Sequence, residues 1–231
     1  MGFTHLHVHT QYSILDGASS IPALMKKAKE DEMKAIAITD HGNLFGTKEF
    51  CNEAKSHGIK PIIGCEVYVA RRSRLKNTTK EDRGGYHLIL LAKNRTGYKN
   101  LVKLVSTGWI EGHYYKPRID KEILKEHHEG LVCLSACLAG EIPTRLRTDE
   151  YAKAQTAAGE FRDLFGPERF WLEVQDHGLE EQRVVNEGLV RLSDELGVGL
   201  AATNDCHYLL PDDHFAHDVL VCIQTGKTAS G

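Results

Sequence analysis

A chain of 231 residues, 41% hydrophobic and 26% charged, is long enough to bury one sizeable core and has the make-up of an ordinary globular protein. Its net charge of -3 and pI near 6.5 exclude a protein that coats nucleic acid by bulk electrostatics, so any nucleic-acid contact has to be local. No apolar run approaches the roughly 20 residues of a membrane span and no secretion signal opens the chain, which makes the cytoplasm the expected location. The six cysteines (51, 65, 133, 137, 206 and 222) form no CxxC pair and read as reduced thiols.

In chain order, hydrophobic patterning predicts a first strand over residues 3–9, a helix over 21–32 and a strand over 35–39. A helix over 45–57 and a strand over 61–70 come next, then a charged insertion over 71–85, a solvated loop that could also supply phosphate contacts. Further strands fall at 86–92, 131–135, 170–174 and 200–203, separated by helices over 97–110, 150–165 and 179–196. Glycines 58, 130, 166 and 197 each follow a helical pattern and suit helix C-termini. Strands alternating with helices predict βα units around a parallel sheet, closed as a TIM-like barrel or open and doubly wound. Both architectures put function at the C-terminal ends of the strands. The apolar run over 219–223 and the polar tail over 225–231 give the ending expected of an excised domain. The Gly226-Lys227-Thr228 triplet is not a phosphate-binding loop, because Val221 stands where that loop needs a glycine.

The strand ends carry the chemistry. His5, His7 and His9 share one face of the first strand, since alternate side chains point the same way. Asp16, Asp40, His41, Glu66, His87, Cys137, Asp176, His177, Asp205 and His207 fall at or near the same rim. Histidine, carboxylate and thiolate bind zinc and related divalent ions, and more than four such groups on one rim imply a multinuclear site. Asp16, Glu66 and Asp205 can bridge and balance such ions, and clusters of this kind favour phosphoester hydrolysis. His5 sits deeper and is expected to hydrogen-bond to a ligand, as is Asp40. His177, with Asp176, is assigned to the substrate side or to the support of a ligand. Arg118, beside Lys116, is a candidate phosphate clamp weighed against a surface cation. Tyr12 either packs at the rim or stacks a base. On residue type alone Cys137 is more readily a core thiol, and Asp16 before Gly17 a turn residue.

The motif running from His7 through His9 to Tyr12-Ser13 is followed by Thr39-Asp40-His41-Gly42-Asn43, Gly64-Cys65-Glu66-Val67-Tyr68 and Tyr86-His87-Leu88. Leu134-Ser135-Ala136-Cys137 and Asn204-Asp205-Cys206-His207 complete the series, with Ile14-Leu15-Asp16-Gly17 and Tyr115-Lys116-Pro117-Arg118 between. Over essentially the whole chain this order resembles the polymerase and histidinol phosphatase (PHP) family, in the branch attached to bacterial replicative DNA polymerases. The resemblance implies one PHP domain over residues 1–231, an α/β fold built as a distorted (β/α)7 TIM-like barrel with the metal site at the C-terminal ends of its strands. It implies two or three divalent metal ions, zinc foremost and manganese or iron as alternatives. By the family pattern His7, His9, Glu66 and Asp205 hold one ion, Glu66 bridges to a second on His87 and Cys137, and Asp16, His41 and His207 hold the third. Stand-alone phosphatases of the family usually carry histidine in place of Asp16 and Cys137, and both replacements are competent ligands.

The implied activity is metal-dependent phosphodiesterase chemistry, the 3′ to 5′ exonucleolytic removal of a mispaired primer end. The implied parent is a DNA-directed DNA polymerase acting in DNA replication. Its implied partners are the DNA primer 3′ end, the remaining polymerase domains of the same chain, a proofreading exonuclease subunit and other replicase subunits. Two other readings stay open: a non-catalytic, metal-stabilised scaffold that braces the polymerase or docks an exonuclease, and a phosphatase for small monoesters such as histidinol phosphate. A metal-dependent amidohydrolase fits less well, because that class needs a bridging lysine and only Lys93 lies near a strand end.

Overall fold

The computed structural model describes residues 2–14 and 16–228; Leu15 of the 14–17 motif and the last three residues of the tail lie outside the described residues. Helix α1 (Ile21–Glu30) has proline in its first turn, where the fixed φ suits the helix. Ile21, Leu24, Met25 and Ala28 line its buried face at spacings of three and four. It packs with α2 (Thr47–His57) around Phe50, Ile36 and Ile38, the last two on strand β1 (Ala35–Ile38). Strands β2 (Lys60–Val69) and β3 (Tyr86–Ala92) precede α3 (Arg95–Ile110), which starts where the Asn94 side chain accepts from Gly97 N. A short hairpin, β4 (His113–Tyr114) and β5 (Lys116–Ile119), leads to α4 (Lys121–Glu126) and β6 (Leu131–Leu134). Then come α5 (Glu141–Arg147), α6 (Tyr151–Phe165), β7 (Phe170–Val174), α7 (Glu180–Leu196), β8 (Gly199–Ala202) and α8 (His214–Thr225).

The sheet runs from β1 through β2, β3, β6 and β7 to β8, with β5 paired to the far end of β2. The first segment of the chain closes it. Val8 forms a parallel bridge to Cys206, with His9 N donating to Cys206 O at 2.8 Å and Cys206 N to His7 O at 3.1 Å. On its other side Ala37 N donates to His5 O and Thr39 N to Val8 O, both at 2.9 Å. The result is the distorted seven-membered (β/α) barrel, not the open sheet. Ala37, Ile89, Leu91 and Leu134 fill its interior, while a larger cluster around Leu90, Leu104, Phe161, Phe165, Phe170 and Leu189 joins strands to outer helices. Each of the leucine, isoleucine and phenylalanine side chains contributes about 1.5–3 kcal/mol by leaving water.

Three expectations need correction. The sheet is not parallel throughout: β3 runs antiparallel to both β2 and β6, because residues 70–85 supply a loop with one short turn and no crossover helix. Residues 3–9 pair as a strand only at Val8, where the Thr39 hydroxyl accepts from Val8 N at 2.8 Å in place of a backbone carbonyl. Arg118 is no phosphate clamp. It is 1% exposed, and its guanidinium donates to the carbonyls of Gly112, Lys76, Asp82 and Arg74 at 2.7–2.9 Å. The charged insertion wraps around it, tied by Arg72 to Asp82 at 3.0 Å and Arg74 to Asp120 at 3.0 Å.

Gly58 and Gly197 end α2 and α7 in the left-handed conformation, as expected, whereas Gly130 packs against Gly97 and caps no helix. Periodicity missed the hairpin and α4, α5 and α8. Among the described residues no helix is long and apolar enough to cross a membrane.

Candidate metal centre

His7 and His9 reach the rim from the closing segment, His41 from the turn after β1, Cys137 from the turn after β6, and Asp205 and His207 from the turn after β8. Glu66 lies within β2, which continues past its last partner in β1 at Ile63, so Glu66 stands level with the end of that strand. The bridge from His41 to Glu66 fixes this level, with Gly42 N donating to Glu66 O at 2.8 Å. Gly42 has φ +60, and a Cβ there would lie 2.7 Å from Pro117 Cγ, so the turn that presents His41 requires glycine. His87 is at the N-terminal end of its strand, not the C-terminal end expected, and meets the others because β3 is reversed. Asp205 at φ +47 and Ala136 at φ +64 are left-handed without being glycine, a strain that concentrates at functional sites.

All nine candidate ligands from the sequence lie in one connected cluster. His7 Nε2 is 3.0 Å from Asp205 Oδ1, 3.3 Å from Glu66 Oε1 and 3.1 Å from His9 Nε2. His9 Nε2 is 3.2 Å from the same Asp205 oxygen, and His207 Nδ1 is 3.5 Å from it. His41 lies between Asp16, whose Oδ2 is 2.9 Å from Nε2, and Glu66, which faces Nδ1. His87 Nδ1 is 2.8 Å from Glu66 Oε1, and Cys137 Sγ is 3.7 Å from His87 Nδ1 and 3.9 Å from Glu66 Oε1. The ring of His207 stacks on that of His9, with centroids 4.2 Å apart.

Electrostatics mark this cluster as unfinished. Asp16 Oδ1 is buried without a partner, while His41 Nδ1 with Glu66 Oε2, and Asp205 Oδ1 with His7 and His9, are buried in close contacts that do not align as hydrogen bonds, and buried polar atoms left in that state are costly and rare. Burial pushes the His9 imidazole down to about 3, and the neighbouring charges of His41 and His207 add to it. For His41 burial also pushes downward, but Glu66 and Asp16 outweigh it and raise the ring to about 10. Burial would raise Glu66; the charges of His87 and His41 prevail and hold it well below the ordinary carboxylate range. Burial, then the charge of Glu66, drives the Cys137 thiol well up.

Divalent cations fit this donor set. His7, His9 and Glu66, His41, Glu66 and His87, and His9, His41 and His207 form three overlapping trios, each with ligand atoms within 4.8 Å of one another.

Two supports hold the imidazoles, and one was missed in the sequence. Glu173 on β7, 2% exposed, accepts from His7 Nδ1 at 2.6 Å and is itself held by Thr203 and by Gln175 at 2.9 Å. A carboxylate behind a histidine fixes its tautomer and aims the other nitrogen. A charged residue near the end of the otherwise apolar Phe170–Val174 strand was the available signal. Asp40 acts through Ser13: it accepts from Ser13 Oγ at 3.0 Å, and that oxygen is 2.9 Å from His9 Nδ1. Asp40 also accepts from Thr10 N at 2.6 Å.

Other expectations change. His5 reaches no candidate ligand among the described residues; its Nδ1 lies 3.5 Å from Cys206 Sγ. His177 is exposed, with Nε2 2.9 Å from Asn204 O and Nδ1 2.8 Å from Gln182 Nε2, and touches no ligand. Tyr12 packs at the rim, its hydroxyl donating to Glu49 at 2.8 Å.

A family model described as PHP domain matches residues 5–177, well over half of the chain. This chain belongs to the PHP domain family. The PHP domain is 50% identical over 231 residues to a DNA polymerase III subunit alpha of Treponema pallidum, matching 100% of this chain and 20% of that protein. A DNA polymerase III subunit alpha of Borreliella burgdorferi is 51% identical over 229 residues, 99% of this chain and 20% of the relative. The chain thus spans about a fifth of the length of these relatives.

Among solved structures, an amidohydrolase from Chromobacterium violaceum superposes with a TM-score of 0.51 at 14% identity, covering 94% of this chain and 96% of that one. A two-domain protein from Bacteroides vulgatus, containing a predicted PHP-like metal-dependent phosphoesterase, gives 0.50 at 16% identity over 88% of this chain and 51% of its own. These two show that the PHP domain shares their fold.

Proposed function

We propose that this PHP domain is the one carried by a bacterial DNA polymerase III alpha subunit, working in the cytoplasm, and that it is a metal-dependent phosphodiesterase that trims the 3′ end of a primer. The observation that carries this reading is the buried rim in which Glu66 and Asp205 each sit against two or more imidazoles while Asp16 Oδ1 is buried without a partner. Two or three divalent ions, zinc by the preference of His and Cys donors and manganese or iron by that of carboxylates, would supply water activation and charge neutralisation at phosphate. His7, His9, Glu66 and Asp205 would hold one ion, Glu66, His87 and Cys137 a second, and Asp16, His41 and His207 a third.

The protein's own residues do the positioning. Glu66 touches His7, His41 and His87 at once and is the natural bridge. Glu173 keeps His7 Nε2 aimed inward, and the Asp40–Ser13 pair does the same for His9. The partners proposed are a primer 3′ end, the polymerase domains of the longer chain and a separate proofreading exonuclease.

Purified protein is expected to shorten a 3′-mismatched primer, and His9→Ala to abolish this. Degradation that persists in His9→Ala would trace to contamination and defeat the catalytic reading. A second reading, a metal-stapled scaffold, is favoured by one feature: the cluster joins the first residues of the barrel to its last strand across the Val8–Cys206 bridge. Bound metal with no turnover of primer or of small monoesters would support it.

A further inference from the structure

Between the rim cluster and the β4–β5 hairpin lies a cavity of about 310 Å³ whose inner wall includes Asp16 and His41. Its outer wall is aromatic. Phe45, Trp109 and Tyr115 are 59%, 43% and 61% exposed and line this one space together, whereas exposed apolar side chains scattered singly need no explanation. Trp109 is held in place: Nε1 donates to the carbonyl of Gly42 at 2.8 Å, one residue from His41. Its ring stacks with His113 at 5.3 Å between centroids and 18° between planes, and Phe45 lies 6.3 Å away. Lys116 also lines the cavity, its ammonium 5.3 Å over the Tyr68 ring. Tyr115 is the turn residue between β4 and β5, and its φ of +63 reverses the chain there.

We propose that this cavity is a nucleobase shelf, on which the unpaired terminal base of a single-stranded DNA 3′ end stacks against Phe45 and Trp109 while Lys116 meets the adjoining phosphate. The proposal rests on the phosphodiesterase reading and deepens it by naming the substrate feature that is recognised. Aromatic faces hold any base through its π surface, and a cation beside them suits a phosphodiester backbone. An apolar side chain from a protein partner would satisfy the rings but bury the Lys116 ammonium without a counter-charge. The volume is at the lower end for ligand sites and accommodates one nucleotide. A paired terminus would keep its base inside the duplex, so the shelf selects frayed or mispaired ends.

The test is binding, not turnover. The protein as purified is titrated with a single-stranded oligonucleotide carrying 2-aminopurine at its 3′ end, joined by a hydrolysis-resistant phosphorothioate. Stacking is expected to quench the fluorophore. Phe45→Ala and Trp109→Ala should each weaken binding by roughly 5- to 150-fold, the range of one lost base stack. Trp109→Phe, which keeps a ring, should restore most of the affinity. An abasic 3′ end should bind wild type about as weakly as the base-bearing end binds Phe45→Ala. Equal affinity for abasic and base-bearing ends, or unchanged quenching in Phe45→Ala, overturns the shelf. A protein that binds the terminal base but never shortens a primer keeps the shelf and loses the phosphodiesterase reading. Primer shortening without any preference for a base loses only the shelf.

Discussion

The rim cluster and the Arg118 cage both bury charge in the same small barrel, and they treat it in opposite ways. Around Arg118 every acceptor is a carbonyl already aimed at the guanidinium, and the loop over residues 71–85 closes on it. At the rim, imidazoles and carboxylates crowd one another, several of their contacts do not align as hydrogen bonds, and Asp16 Oδ1 goes without a partner. Burial alone therefore does not identify a functional residue; a crowd of metal-ligating side chains with too few aligned hydrogen bonds between them does. A satisfied buried cation is architecture, whereas an unsatisfied buried cluster of donors awaits a charge from outside.

The largest expected effect tests the cage. Arg118→Met strands four carbonyls and should cost about 3 kcal/mol or more, given 1–3 kcal/mol for each buried group left unsatisfied. For a domain of this size that lowers the melting temperature by roughly 6–12 °C in a thermal scan. Metal bound per folded chain should stay at the wild-type level, and a parallel loss of metal would erase the contrast between the two regions. Next comes Glu173→Gln, which keeps the shape of the side chain but removes the carboxylate behind His7. Competition against a chromophoric chelator should report roughly 10- to 100-fold weaker metal binding with little change in folding. Unchanged affinity would mean that Glu173 is structural, like the cage.

The smallest effect concerns acid. The Arg72 guanidinium beside Asp82 lowers that carboxyl; for Asp120 burial pushes up, but hydrogen bonds from Arg74 and Ile123 prevail and lower it as well. Carboxylates lowered in the folded state stabilise it fully above their ordinary value near about 4, and lose that contribution as pH falls through the depressed values. Amide protection factors over residues 71–85, corrected for the intrinsic pH dependence of exchange, should fall below about pH 4 and stay flat between about pH 5 and 7. Loosening in the higher window would implicate histidines and uncouple the loop from its carboxylates.

Much of this barrel was legible because its helices are long and one-sided: the apolar spacing that predicts residues 150–165 is what buries Ala154, Ala158, Phe161 and Phe165. Strand direction was not legible, since nothing local to Tyr86–Ala92 says which way it runs; that follows from the lack of a helix in the connection before it. The convergence of His7, His9, His41, Glu66, His87, Asp205 and His207 on one rim could be anticipated from side-chain type at strand ends, whereas Asp16 and Cys137 stood out as ligands only through the family resemblance; the geometry brings all nine side chains together. The burial of Arg118 was not legible, because it depends on how residues 71–85 fold back, a long-range event. Glu173 left a trace, a carboxylate inside an apolar strand, that composition and motif wording did not single out.

The bridge between Val8 and Cys206 has a consequence for how the protein is made. It joins Val8 to Cys206, almost opposite ends of this domain in sequence, and contacts of that span form late, since they must offset the entropy of closing a long loop. On a ribosome adding about 5–20 residues per second, His7 and His9 wait roughly 10–40 s for Asp205 and His207 to be synthesised. Until then they are an exposed pair on an unclosed edge. The completed cluster is thus a property of the finished barrel alone, and a chain truncated before Asp205 would present every named strand and all the helices but α8 without the chemistry of the fold.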